Sequence, residues 1–246
     1  MSTELPTLAV TGSTGNLGGR VARLLAGSGI AQRLLARDST RVPELDAGVP
    51  VSFAGYADRV DAMRALEGVS TLFMVSGSES ADRRDQHLAF VDAAAEAGVR
   101  HVVYTSFFGA APDATFTLAR DHYATEEHIK ASGMGWTFLR DNLYLDVIAM
   151  FVGDDDVLRG PAGDGVVSAV SYDDIAACAT EVLSAPDGHV GRTYDLTGPE
   201  ALSLSAAAET LSAALGRQIT YHDETIEEAY ESRRQWPAPS GSTTPG

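Results

Sequence analysis

The apolar positions of this chain alternate between two periodicities. Short apolar runs at Thr7–Thr11, Gln32–Ala36, Val49–Phe53, Thr71–Val75, His101–Thr105 and Trp136–Leu139 predict buried strands. Between them, apolar residues recur three and four apart and predict helices at Asn16–Ser28, Arg59–Leu66, Ala81–Ala97 and Leu118–Ser132. Gly98 and Gly133 stand just past two of these helices, where a stop residue belongs. Strands alternating with helices predict an α/β fold, a Rossmann-like doubly wound parallel sheet covered on both faces.

From about Asp141 the rhythm changes. Asp154–Asp156 and Arg159–Gly165 read as loops and Val166–Val170 as a strand. Tyr172-Asp173-Asp174 caps a helix through Leu183, Thr193–Leu196 is a strand, and a helix runs from Ser203 to Gly216. We therefore expect one domain, with a core over about 1–140 and a small C-terminal substrate lobe over about 141–235. Glu227–Arg234 reads as helical. Residues 236–246, rich in Pro, Ser, Gly and Thr, read as a disordered tail.

The first strand runs into Gly12-x-x-Gly15-x-x-Gly18, after which Leu17, Val21, Leu24 and Leu25 repeat at helical spacing. Such a turn aims unpaired N–H groups and the positive helix end at whatever sits above it. Glycines let the backbone approach a pyrophosphate with no Cβ in the way. Gly12, Ser13, Thr14, Gly15, Asn16 and Leu17 are thus the expected phosphate loop of a dinucleotide. Arg37 ends the second strand, where an acid would bind a free ribose hydroxyl and a guanidinium accommodates a 2′-phosphate. NADPH is expected over NADH, with Asp38 next door keeping NADH as the lesser alternative.

Composition narrows the partners. A net charge of −16 repels nucleic acid and anionic membrane surfaces. A single cysteine, Cys178, excludes an intramolecular disulfide, and its apolar helix predicts a core thiol. There is no apolar run of membrane-spanning length and no basic-then-apolar N-terminal segment, so a cytoplasmic location is expected. No His-Glu-x-x-His or complete calcium-loop pattern predicts a metal. A homodimer is left open.

Lys130 is the only lysine. A Tyr-x-x-x-Lys pair, in which the ammonium lowers the phenol pKa, would need tyrosine at position 126, which is Glu126. Tyr123 has Glu127 at the lysine position, and a carboxylate there would raise the phenol pKa. Without that dyad, reduction of an already electrophilic acceptor is favoured over alcohol oxidation. His122 and Glu126, four apart on one helix face, either orient substrate and relay a proton or form a surface pair. Asn142 and Tyr144 follow the sixth strand and Ser106 ends the fifth, at the sheet edge where ligands of open α/β folds bind. His122, Asn142 and Tyr144 are the candidate catalytic residues.

Thr11–Gly18, Ser76-Gly77-Ser78-Glu79, Tyr104-Thr105-Ser106, Asp121-His122-x-x-Thr125-Glu126 and Leu139-Arg140-Asp141-Asn142-Leu143-Tyr144 occur in that order. Over residues 7–235 this arrangement resembles the NmrA-like atypical short-chain dehydrogenase/reductases, specifically the NAD(P)H:quinone oxidoreductase type 2 group. The resemblance implies hydride transfer from NADPH to a small quinone or related electrophilic carbonyl. It also adds Tyr56, Ser76, Gly77, Ser78, Tyr104, Thr105, Ser106, Glu126 and Asp141 to the expected cofactor contacts, and places Asp141–Tyr144 beside the nicotinamide. In two places the chain departs from the family pattern. Gly55 replaces the acid that often precedes the adenine-side tyrosine, and the further structure the family carries past Trp236 is not seen, which implies a more open substrate side. Two other functions compete: a non-catalytic NADP(H) redox sensor acting through a protein partner, and an isomerase or epimerase. The missing Tyr–Lys pair argues against the isomerase or epimerase.

Overall fold

The computed structural model describes residues 5–234. In chain order the elements are β1 (Leu8–Val10), α1 (Asn16–Gly27), β2 (Gln32–Ala36), β3 (Gly48–Ser52), α2 (Arg59–Leu66), β4 (Thr71–Met74), α3 (Arg83–Glu96), β5 (His101–Phe107), α4 (Thr117–Ala131), β6 (Gly135–Asp141) and α5 (Leu145–Ile148). They continue with β7 (Val157–Gly160), β8 (Val166–Val167), α6 (Tyr172–Ser184), β9 (Arg192–Leu196), β10 (Leu202–Ser203), α7 (Leu204–Leu215), β11 (Thr220–Asp223) and α8 (Ile226–Arg233).

The chain folds as two compact units, residues 5–141 with 172–196, and residues 142–171 with 197–234. The first holds a seven-stranded sheet of order β3-β2-β1-β4-β5-β6-β9, with every pairing parallel. β1, β2, β4 and β5 are buried along almost their whole length, as strands covered on both faces must be. The order reverses between β1 and β4, so their carboxyl ends frame the crevice where such sheets take ligands. On one side Phe90 and Val91 of α3, with Ala62 and Leu66 of α2, pack onto Leu72, Met74, Val102 and Tyr104. Gly98 and Gly133 follow α3 and α4 with positive φ, as expected of stop residues.

Several expectations are corrected. The strand expected over Thr193–Leu196 in the C-terminal lobe is β9, which pairs with β6 as the seventh strand of the central sheet. Segment 172–196 therefore belongs to the first unit. Arg159 and Gly160, expected in a loop, lie in β7, whose parallel partner β11 carries the polar sequence Thr-Tyr-His-Asp and gave no strand signal. The strand expected over Val166–Val170 shortens to β8, paired with β10. Cys178 lies on the exposed face of α6 instead of in the core, because Ile175, Ala176, Ala179 and Val182 form the inward stripe. Partial burial, followed by the nearby Asp174 and Asp141 carboxylates, holds its thiol pKa above the usual range. Leu24 is likewise exposed while Leu17, Val21 and Leu25 are buried.

The second unit has its own small core of Ile148, Leu158, Ala169, Ala207, Ala208 and Ile219. Among the described residues no helix is long and apolar enough to cross a membrane. The tail at 236–246 lies outside the described residues.

Candidate functional site

The site is built from the carboxyl ends of β2, β1 and β4, three neighbours in the first unit's sheet. Gly12 leaves β1 with φ +62°, and a Cβ there would press on Val75 at 3.3 Å. Gly15 precedes α1 as its N-cap and donates its own N–H to Gly12 O at 2.8 Å; no side chain caps the helix. The first-turn amides of α1 therefore keep their donors for a ligand, and no acidic residue of that turn opposes an anion. A Cβ on Gly18 would stand 2.4 Å from Gly12 O and 2.6 Å from Thr11 O, so only glycine lets α1 pack this close to the end of β1. Gly12, Thr14, Gly15 and Asn16 are exposed, whereas Ser13 donates to Leu35 O at 3.2 Å and Leu17 is buried. The turn suits a pyrophosphate.

Arg37 follows β2, exposed and without a hydrogen bond or ion pair among the described residues. Asp38 is engaged locally. It accepts from the Thr40 hydroxyl at 2.6 Å and the Thr40 amide at 3.0 Å, and these bonds lower its pKa. The group free to meet a ribose substituent beyond β2 is thus the guanidinium.

Tyr56 fastens the two strand ends together. Its hydroxyl donates to the Val75 carbonyl and lies 2.7 Å from Thr11 Oγ1, which itself accepts from the Val75 amide at 2.8 Å. The ring stacks on Phe90 with centroids 4.4 Å apart, and burial raises the phenol pKa. Tyr56 was expected to contact the cofactor, but its polar atom is turned inward.

The loop after β4 is held from within. The Ser76 amide donates to Thr105 Oγ1 at 2.7 Å and the Gly77 amide to His87 Nε2 at 2.9 Å, while Arg83 Nε donates to Gly77 O at 2.8 Å. Ser78 is exposed. Behind the loop, Arg83 Nη2 lies 3.0 Å from His122 Nε2, and His122 Nδ1 lies 2.9 Å from the Tyr104 hydroxyl. The guanidinium can only donate, so His122 Nε2 is the acceptor and its proton sits on Nδ1. Burial first, then Arg83 and His87, push the His122 pKa well below 6.5. Burial and Arg83 push His87 down to about 3.

These contacts revise the roles expected from sequence. His122 and Glu126 share the inner face of α4, but both are buried, so the surface-pair reading fails. His122 is neutral with both ring nitrogens engaged, which removes it as a proton relay near neutral pH. Glu126 is fully buried, with bidentate bonds from Arg140 Nε (2.8 Å) and Nη2 (2.7 Å) and a third from Ser106 Oγ (2.6 Å). Glu126, Ser106, Tyr104 and Thr105 thus serve as supports under the sheet edge, where sequence reading expected direct cofactor contacts. Asp141 is also buried, at the end of β6. Asn142 and Tyr144 fall in the second unit, where Asn142 Oδ1 accepts from the Leu143 amide at 2.8 Å and Tyr144 precedes α5 and bridges to Val170.

Sequence reading passed over Arg83 and His87, and gave Thr125 and Arg140 a place in the family blocks but no role. Arg83 and His87 stand four apart on α3, a spacing that places two polar groups on one inward face. Lys130 pairs with Glu127 at 2.7 Å and stands over the Trp136 and Phe138 rings. Among the described residues no cluster of metal-ligating side chains occurs.

Known proteins share this fold. The model of the NmrA-like family matches residues 5–238. The chain is 34% identical to the NAD(P)H azoreductase of Xenophilus azovorans, over 92% of this chain and 79% of that protein. It is 35% identical to quinone oxidoreductase 2 of Escherichia coli strain K12, over 88% and 77%. The crystal structure of the Escherichia coli NADPH-dependent quinone oxidoreductase QOR2 complexed with NADPH superposes with a TM-score of 0.84 at 30% identity, covering 95% of this chain and 84% of that one. With its glycine turn, its strand order and a match along nearly its whole length, the chain belongs to the NmrA-like family.

Proposed function

We propose that this NAD(P)H-dependent oxidoreductase reduces small quinones or related electrophilic carbonyl acceptors, with NADPH as the preferred coenzyme. The observation that carries the reading is the glycine turn with its uncapped helix beside the unpartnered guanidinium of Arg37. Gly12, Thr14, Gly15 and Asn16 would hold the pyrophosphate, and Arg37 the 2′-phosphate. NADPH supplies a hydride when bound. Reduction of a quinone to its hydroquinone takes up that hydride and one further proton. His122 is neutral, buried and bonded to Arg83, so it does not supply this proton.

The acceptor class rests on the relatives' names and on two exposed rings. Phe108 and Phe116, 42% and 45% exposed, lie between β5 and α4 and offer apolar surface to a planar acceptor. Asn142 and Tyr144 remain acceptor-side candidates through their position in the chain after β6.

The test is a steady-state screen of NADPH and NADH oxidation with benzoquinone, naphthoquinones and aliphatic aldehydes. Turnover with quinones, faster with NADPH, is expected. NADPH binding without oxidation by any acceptor would instead favour the sensor reading.

A further inference from the structure

We infer that Arg83 and His87 are positioning residues for coenzyme binding, which grip the Gly77 peptide from inside so that the loop after β4 presents its outer groups in one fixed arrangement. The inference rests on the coenzyme reading above. Arg83 is 3% exposed and His87 fully buried, so neither reaches the outer face of the loop.

A surface loop that only joins a strand to a helix leaves its backbone groups to water. Here the backbone is taken up from behind. The Gly77 amide is held by His87 at 2.9 Å, the Gly77 carbonyl by Arg83 at 2.8 Å, and the Ser76 amide by Thr105 at 2.7 Å. Among the described residues the Ser78 amide and the hydroxyls of Ser76 and Ser78 carry no hydrogen bond, Ser78 being exposed and Ser76 half-buried, and all three are suited to hydroxyl and phosphate oxygens of a nucleotide.

The support is itself fixed. His87 Nδ1 lies 3.2 Å from Thr125 Oγ1, whose own hydroxyl donates to Asp121 O at 2.8 Å. That oxygen must therefore accept, which places the His87 proton on Nδ1 and leaves Nε2 as the acceptor for Gly77. Gly77 fits the same geometry, since a Cβ there would come within 3.2 Å of His87 Nε2. The bond from Arg83 to the Gly77 carbonyl is charge-assisted, and it polarises the peptide whose N–H belongs to Ser78. Burying a guanidinium and an imidazole is unfavourable unless their polar atoms are held. His87 is bonded at both ring nitrogens, and Arg83 is bonded through Nε and Nη2 while its Nη1 makes no hydrogen bond and faces Asp121 Oδ2 at 3.5 Å. A simple connector needs neither.

The experiment is NADPH titration of four folded proteins: the unsubstituted chain, His87→Leu, His87→Gln and Gly77→Ala. His87→Leu should weaken NADPH at least tenfold. His87→Gln, whose Oε1 can accept the Gly77 N–H, should recover most of that loss. The loss should appear in Kd and KM for NADPH, with kcat at saturating NADPH and KM for quinone changed less than threefold. A residue that merely stabilises the fold would lower Tm and leave the Kd of the folded fraction unchanged. Gly77→Ala changes only the loop and should also raise Kd, so it decides the matter if His87→Leu does not fold. NADPH affinity within twofold of the unsubstituted chain in either His87→Leu or Gly77→Ala overturns the inference, as does a His87→Gln protein as weak as His87→Leu. Failure of the unsubstituted chain to bind NADPH removes the coenzyme reading itself, and this inference with it.

Discussion

At the scale of single residues, the coenzyme question turns on Arg37 and its neighbour. Asp38 is bound to Thr40 and Arg37 is not bound to anything described, so the two positions do not compete for one ribose substituent. Arg37→Ala should reduce the preference for NADPH over NADH by roughly 1.5–3 kcal/mol, the range of a hydrogen bond to a charged group. Parallel titrations with both coenzymes measure it; an unchanged ratio would place the 2′-phosphate elsewhere. His122 gives the opposite kind of prediction. Because its ring is neutral and bonded to Arg83 and Tyr104, kcat with quinone should show no histidine inflection between pH 6 and 8. A bell limb near pH 6.5 that disappears in His122→Gln would restore it as an acid. The close-packed glycines were legible in the sequence because backbone geometry demands that residue type at fixed offsets, and so was the place of Arg37 just past β2. The inward roles of His122, Glu126 and Tyr56 were not, since spacing shows which residues share a face and not what that face meets.

At the scale of elements, α1 and α4 are each set by one tight fit. Gly18→Ala would drive a methyl into the Gly12 and Thr11 carbonyls at 2.4 and 2.6 Å, both backbone atoms, so α1 must shift off β1. We expect a loss of about 1–3 kcal/mol, as for overpacking, together with weaker coenzyme binding, read by denaturant unfolding and titration. On α4, Glu126→Ala would leave Arg140, 24% exposed, and Ser106 without their shared partner. Removing one member of such a buried pair costs about 3–5 kcal/mol, whereas Glu126→Leu with Arg140→Met should regain much of it. A double variant no better than the single one would mean that the pair itself holds β6 to α4. The elements of the parallel core were readable from their apolar runs. β7 and β11 were not, because a polar strand such as Thr220–Asp223 gains its definition from a partner 63 residues away.

At the scale of the whole molecule, the buried histidines make stability depend on pH. His87 and His122 are neutral in the folded protein, with pKa values depressed to about 3 and well below 6.5, and His101 is shifted in the same direction by burial. In the unfolded chain they take up protons near pH 6.5. The unfolded state therefore binds more protons below that pH, and stability falls as acid is added. His87, with its folded pKa near 3, should withdraw roughly 1.5 kcal/mol between pH 6.5 and pH 5. This is less than the full value of about 1.4 kcal/mol per pH unit because the unfolded imidazole is only half protonated at pH 6.5, and His122 adds a loss of the same sign. The carboxylates with depressed pKa values, Asp38, Asp61, Asp82, Asp155, Asp223 and Glu224, add their own losses only at lower pH, since their ordinary values are 3.8 and, for Glu224, 4.5. Unfolding midpoints in denaturant should accordingly be level from pH 8 to 7 and decline steadily from pH 6.5 to 5. His87→Gln should lessen that slope by roughly a third to a half even if it lowers the plateau. A midpoint that stays constant down to pH 5 would mean that these imidazoles are protonated in the folded state, and with that the acceptor role of His87 Nε2 beneath Gly77 would fall as well.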